Sequence, residues 1–524
     1  MRISRPFTAS GAARALRDAG VLLVACASLA AASACGTPLP QNAGSGVSLK
    51  IGLGLGGSSR SEGVGTLASM LFAEPLVTFA WDGRTEAALA ASWTWEPDGR
   101  ALSLNLRPNA RFHDGRAVTA NDVAGIVQAA VRSAQQEGAQ GLLQGFQFVE
   151  SVEAVGESTI RLRLSRPDTF LVGALNDTLI IAPDSPNIGT GPFKVLHRTD
   201  DAAQTQRNDA YDLGAPAIER VDVVSYDTQR SAWAAMMRGD VDMLQEVARE
   251  AVEFFEGSSG VRTFSSVRPF YTTLVFSVRH PALRNVEVRR ALNEAVDKQE
   301  IVASGMRGHG RVADDPVWPF HWAYSAAGRR YAHNPDAARL RLDAAKFPLR
   351  QDPSGMPSRF RFNCLVWGED SQFERIALIL QRQFSQVGVD MTLVPLTLKE
   401  LINRIGTGQF DAYLFQTNAG RGFDRTHLFW RSAAGPIATL QNTGYAGADD
   451  ALERLRGAQS DAETRAAVAD LQRRFYEDAP AVFLAWMQTT RAVDARFDVG
   501  DESDPDLFAK LWRWKPARRE VAAR

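Results

Sequence analysis

Little in this sequence invites covalent or metal-centred chemistry. Its 524 residues hold three cysteines, Cys26, Cys35 and Cys364, too few for the disulfide framework that staples small secreted domains. The seven histidines (His113, His197, His280, His309, His321, His333, His427) are scattered, with no HxxxH or HExxH pair, which removes the common one-helix zinc sites. No GxxxxGK(S/T) phosphate loop and no GxSxG nucleophile setting occurs. No cofactor and no resident metal is expected, and an enzyme would need machinery that is not in view. Neither sign of charge prevails, with 59 basic against 60 acidic side chains. A nucleic-acid partner, which needs a concentrated basic face, is therefore not expected. Beyond the N-terminus no apolar run is long enough to cross a bilayer, so the body is expected on one side of a membrane.

What is present begins with a leader. Arg2, Arg5, Arg14 and Arg17 precede an apolar run from Val21 to Ala32, short and alanine-rich in the manner of a secretion signal. Ala32-Ser33-Ala34 is a small-x-small cleavage site and Cys35 follows it. Cleavage after residue 34 and lipidation of Cys35 is the expected processing, with 35–47 as a tether rich in glycine, proline and serine. The alternative is plain secretion with Cys35 as a free thiol. Losing 1–34 removes four arginines and one aspartate, which moves the formal charge from -1 to -4.

The periodicity reads as α/β. Ser48 to Leu53 alternates so as to bury Leu49, Ile51 and Leu53 before the glycine-rich Gly54–Arg60, a strand running into a loop. The region 85–180 holds a hairpin pattern at Leu102, Leu104 and Leu106 and a helix opened by the capping box Thr119-Ala-Asn-Asp122. Later, strand 362–366, a helix bearing Phe373, Ile376, Ala377, Leu380, Phe384 and Val387, a stop at Gly388, a strand with Val389, Met391 and Leu393, a helix from Thr397 and a strand from Phe410 follow in order. That alternation implies parallel strands with crossovers. Ligands on such sheets lie beyond the carboxyl ends of the strands. Gly54–Arg60, Trp367–Gln372 and Gln416–Arg421 are the loops expected there.

From Leu89 the chain reads Leu-Ala-Ala-Ser-Trp-Thr-Trp-Glu-Pro-Asp98-Gly99, then Leu-Arg107-Pro-Asn-Ala-Arg-Phe-His113-Asp114-Gly115-Arg-Ala-Val-Thr119-Ala-Asn-Asp122. This resembles the signature of the dipeptide, oligopeptide and nickel-binding solute-binding proteins that serve ABC importers, family 5. In order follow Gly189-Thr-Gly-Pro-Phe193, Asn208-Asp-Ala-Tyr211, Gly239-Asp-Val-Asp242, Val288-Arg-Arg-Ala-Leu-Asn293, Asn334-Pro-Asp-Ala-Ala, Gly408-Gln-Phe-Asp411 and Glu477-Asp-Ala-Pro480, so the likeness covers about 48–500. It implies a bilobal, hinge-closing receptor of periplasmic-binding-protein type II with an extra α+β domain. The expected division is a discontinuous first lobe (48–82, 181–268, 482–515), the extra domain (83–180) and a second lobe (269–481). It implies capture of a peptide-like or other extended solute, delivery to ABC permease subunits, an extracytoplasmic location anchored through Cys35, and a monomer. The rivals are a hydrolase or metal-dependent enzyme on the same scaffold, and a sensory or chaperone-like receptor without a permease.

Residues expected near the ligand are Gly54, Ser58, Trp318, Trp322, Trp367, Gln416, Asn418 and Arg421. The aromatic segment Trp318-Pro-Phe-His-Trp322-Ala-Tyr324 reads either as a cleft lining or as a satellite core under a loop. His113-Asp114 reads as a turn rather than a catalytic pair, since neighbours on an extended chain point apart and Asp-Gly supplies turn chemistry. Family members that grip a peptide's free amine resemble one another in carrying Gly-Trp and shortly afterwards an aspartate after the strand that ends near Phe415. Here Gln416-Thr417 replaces Gly-Trp, Gly420 stands where the aspartate belongs, and Asp424 lies four residues late. Arg421 adds a guanidinium suited to a carboxylate or phosphate. The expected ligand is therefore something other than an ordinary free-amine peptide: a modified peptide, an anionic oligomer, or a sugar- or siderophore-like solute.

Overall fold

The computed structural model describes residues 46–55, 59–136, 144–248, 251–258, 260–351, 357–432, 441–500 and 506–517. One mixed sheet of eleven strands runs through the protein. At one end Phe360–Trp367 lies parallel to both Val389–Leu396 and Ala412–Asn418. At the other, Ser48–Gly54 lies parallel to Arg220–Tyr226 and Met243–Leu244, and the antiparallel strands Ala202–Arg207 and Phe193–Arg198 close that edge.

Two long antiparallel strands join the ends. Val261–Phe276 has 16 residues and Ala481–Asp494 has 14. They pair from Val261 opposite Asp494 to Val275 opposite Ala481, with the register broken between Val267 and Tyr271 and shifted again between Thr272 and Thr273. A strand of that length reaches about 50 Å, enough to belong to two halves at once. Val482 and Leu484 pack in the core of the second half, whereas Val493 packs with Leu49, Ile51 and Val223 in the first. The strand Ala481–Asp494 thus contributes side chains to both cores.

Each half is a sheet between helices. In the second, Ser371–Gln386 and Val286–Ala295 cover one face, and Leu398–Thr407, Asp449–Arg456 and Asp461–Asp478 cover the other. In the first, Ser59–Phe72 covers one face and Gln229–Met237 the other. The remaining part, within 76–182, has its own core and an antiparallel sheet of Ala90–Trp95, Ala101–Leu106, Thr159–Leu164 and Val149–Val155 backed by the helix Ala120–Gln136. Arg107 bolts it to the first half. Its guanidinium donates to both Glu74 oxygens at 2.9 and 3.0 Å and to both Asp212 oxygens at 2.7 and 2.9 Å. Tyr211 Oη donates to Glu74 at 2.9 Å.

Local chemistry accounts for many boundaries. Leu49, Ile51 and Leu53 are buried as their alternation requires. Thr119 and Asp122 cap the helix reciprocally, and Gly388 takes the left-handed φ of 78° that ends Ser371–Gln386. Two expectations are corrected. The loop expected over Gly54–Arg60 already gives way to helix at Ser59, a start that Gly63 and Gly65 hide from propensity. Gln416 and Asn418, expected in a loop, extend the strand Ala412–Asn418 opposite Thr272 and Phe270, because that distant partner supplies hydrogen bonds no local pattern reveals.

Candidate functional site

The carboxyl ends of the parallel strands in the two halves, Gly54 on one side and Trp367, Leu396 and Asn418 on the other, face the zone where the long strands cross. The chain after Asn418 is built tightly. Ala419 N–H donates to the Pro269 carbonyl at 2.8 Å, Gly420 N–H donates to Asn418 Oδ1 at 2.9 Å, and Gly420 turns the backbone at φ 66°.

That turn sends Arg421 across to the first half. Its guanidinium lies 5.0 Å from the centre of the Trp81 ring. It donates to the Phe79 carbonyl at 3.0 Å and to Asp506 Oδ2 at 2.6 Å. Arg421 thus meets a carboxylate, and the carboxylate is the chain's own. Its backbone is approached as closely: a Cβ on Gly83, whose φ is 79°, would stand 2.5 Å from the Arg421 carbonyl and 2.3 Å from the His321 ring.

Asp506 draws in two further arginines. Arg491 sits on the long strand opposite Phe264 and is 5% exposed. Arg268 lies in the register break of the partner strand. Both act electrostatically on Asp506 and Glu246, and Glu246 is held nearby because Val247 N–H donates to the Thr490 carbonyl at 2.8 Å. Burial works to raise the Asp506 carboxyl, but the guanidiniums, Arg421 foremost, outweigh it and leave it below the usual range. Burial, then Arg268, pushes Arg491 down to about 10 against the pull of Asp506 and Glu246.

The aromatic residues form a wall beside this cluster. Trp318 is 2% exposed, donates from Nε1 to the Trp81 carbonyl at 2.9 Å, and meets Trp81 and Trp486 edge-on at 5.0 and 5.3 Å. Trp322 is half-buried between the guanidiniums of Arg84 at 4.4 Å and Arg465 at 5.1 Å. Trp367 packs against Phe373 and Phe415 and donates from Nε1 to Glu369 at 3.2 Å.

Gln416, Asn418 and Arg421 are therefore consecutive along one strand and turn, Trp318 joins Arg421 through Trp81, and Trp322 follows through its backbone bond to Asp82. Trp367 stands on the neighbouring strand. Gly54 is apart from them: a Cβ there would come within 2.4 Å of Gln229 Cα, so its bare backbone admits the protein's own helix start. Ser58 and Cys35 lie outside the described residues. Asp424 is buried against Gly173, and its carbonyl accepts from Gln144 at 2.6 Å. Among the described residues no three metal-ligating side chains gather. His113 holds its turn to 189–191, its Nδ1 accepting from Gly189 N–H at 3.2 Å and its Nε2 lying 3.0 Å from the Gly191 carbonyl. Trp81, Arg268, Arg491 and Asp506 were missed by sequence reasoning. One signal existed for Arg491, the polar run Gln488-Thr-Thr-Arg491 inside an otherwise apolar strand.

The profile of bacterial extracellular solute-binding proteins, family 5, middle part, matches residues 84–436. The heme-binding protein A of Haemophilus influenzae is 24% identical over 369 residues, 64% of this chain and 66% of that protein, just short of two thirds of its length. A glutathione-binding protein of Pectobacterium atrosepticum is 22% identical over 449 residues, 81% of this chain and 84% of its own. The substrate-binding protein CtaP of Listeria monocytogenes, an ABC transporter component, superposes with a TM-score of 0.77 at 20% identity, over 90% of this chain and 100% of that one, a likeness of fold. Arrived at from its motifs, its two-ended sheet and the extent of these matches, the chain belongs to the bacterial extracellular solute-binding proteins of family 5.

Proposed function

We propose that this chain encloses an extended solute between its two halves and delivers it, chemically unchanged, to the membrane permease of an ABC importer. The observation that carries this reading is the bridge made by Arg421, which leaves the second half and closes on Phe79, Trp81 and Asp506 of the first. A solute seated there touches both halves, and only the closed arrangement gains its full contact energy. The halves correspond to 48–82, 181–268 and 482–515 against 269–481, with 83–180 as the added part and the crossing made within the long strands. Gln416, Asn418, Trp322 and Trp367 border the solute and Arg421 closes over it; Gly54 marks the opposing rim, and Trp318 is the support behind it.

The protein works outside the cytoplasm, tethered to a membrane by lipid on Cys35 after removal of residues 1–34, and as a monomer. With Gly420 where an aspartate would hold a free amine, the solute is something other than an unmodified peptide. The experiment is mass spectrometry of material released when protein purified from its native host is denatured, paired with small-angle scattering before and after that cargo is restored. Intact cargo with a smaller radius of gyration is expected. A chemically altered product sinks the reading in favour of an enzyme. For the tether, Cys35→Ala is expected to shift the protein from the detergent-soluble membrane fraction to the aqueous one.

A further inference from the structure

Three guanidiniums and two carboxylates meet at the joint between the halves. Arg268 and Arg491 come from the two crossing strands, Arg421 from the second half, Asp506 and Glu246 from the first. Among the described residues the formal balance of this group is one positive charge in excess. Its placement follows from backbone geometry: Ala419 is bonded to Pro269, Val247 to Thr490, and Arg491 stands opposite Phe264. Asp506 Oδ2 is taken by Arg421 at 2.6 Å. Arg491 is almost wholly buried, and among the described residues its guanidinium has electrostatic partners but no hydrogen-bond acceptor. Buried guanidiniums are ordinarily paired and bonded, because an unmatched charge in a low dielectric costs several kcal/mol.

We infer that Arg491 and Arg268, with Arg421 above them, are the receptor's oxyanion site, and that the captured solute carries a carboxylate or phosphate that completes the charge and hydrogen bonding of this cluster. The inference rests on the capture reading and deepens it. Planar guanidiniums suit both oxyanions. Because the site draws on both halves, the anion stabilises the closed arrangement in which the excess charge is gathered. Arg421 alone, already committed to Asp506, does not explain such specificity; the two strand arginines supply it.

The first test uses the full mature chain and two probes, inorganic phosphate and propane-1,2,3-tricarboxylate, each compared with chloride at equal ionic strength. Linkage predicts a rise in Tm of about 2 °C at a concentration well above Kd, with a change in tryptophan emission because Trp81 lies under Arg421. A response to phosphate only, or to tricarboxylate only, identifies which oxyanion the site takes. Arg491→Gln is expected to weaken that binding at least tenfold. Arg268→Gln does the same by an independent substitution should the first variant fold poorly. Equal Tm in all three salts, or unchanged probe affinity in both variants, overturns the inference. The second test is the charge of the cargo recovered from the native host. An intact neutral or purely cationic cargo overturns the anion site while leaving solute capture standing, whereas an altered product removes the capture reading and the inference with it.

Discussion

Arg107→Met offers the sharpest test of how the added part is fastened to the first half. The wild-type guanidinium satisfies four carboxylate contacts, and the side chains of Arg107, Glu74 and Asp212 are only 11%, 12% and 8% exposed. Methionine keeps much of the aliphatic volume and leaves two carboxylates facing each other in a dry site, with the Tyr211 hydroxyl as a remaining donor to Glu74. Breaking a buried pair in this way costs about 3–5 kcal/mol. The loss must depend on pH. Burial already raises the Glu74 carboxyl despite the opposing pull of Arg107, and removing the guanidinium raises it further, so the folded variant holds protons the unfolded chain has released. Stability then falls as pH rises, from about pH 4, the ordinary carboxyl value, to the raised folded value. Urea denaturation is expected to show a deficit of about 4 kcal/mol at pH 8 and about half that at pH 5. Combining Arg107→Met with Glu74→Gln is expected to restore part of it at pH 8. A deficit below about 1 kcal/mol, or one identical at both pH values, refutes the argument.

Arg421→Met removes a charge-assisted hydrogen bond to Asp506, a bond to the Phe79 carbonyl and the stacking on Trp81, together about 2–3 kcal/mol in favour of closure; solution scattering should show a larger radius of gyration for the variant with cargo at wild-type saturating concentration, and identical profiles would count against the bridge. Gly83→Val forces a branched side chain into a positive-φ position against the Arg421 carbonyl and the His321 ring, and a loss of at least about 2 kcal/mol in denaturant is expected from backbone and overlap combined. His113, held by burial at about 4, should appear in nitrogen-detected NMR at pH 5.5 as the neutral ring protonated on Nε2; because the unfolded chain takes up that proton first, its contribution to stability is lost as pH falls from about 6.5 toward 4, and a titration midpoint above 6 would contradict the assignment.

The elements that sequence made legible are those decided within one turn or one strand. Leu49, Ile51 and Leu53 alternate because they share the one face of their strand that packs into the first core, and Thr119 with Asp122 carries its own helix start. Gly388 is legible for the same reason, its left-handed cap being local. The strand Val261–Phe276 is different. Its partners lie at 412–418 and 481–494, and its side chains are half-buried over Val261–Phe264 and again over Ser266–Phe270, with no simple alternation to mark the length. At the site, the turn Asn418–Arg421 could be singled out from its chemistry. Its meeting with Asp506 could not, because that contact is made by the packing of Leu507, Phe508, Leu511 and Trp514 into the first core, which fixes where Asp506 stands. Trp318 illustrates the opposite difficulty. An aromatic cluster looks the same in sequence whether it borders a cleft or fills a core, and the 2% exposure of this ring assigns it to the interior.

The break in register between Val267 and Tyr271 has a mechanical consequence. A second shift follows between Thr272 and Thr273, so the ladder of the two long strands is interrupted over Val267–Thr273, where bending meets the least resistance, and Arg268 stands within that stretch. A charge seated beside such a pivot moves least as the halves part, whereas the bond from Arg421 to Asp506 spans them and must break.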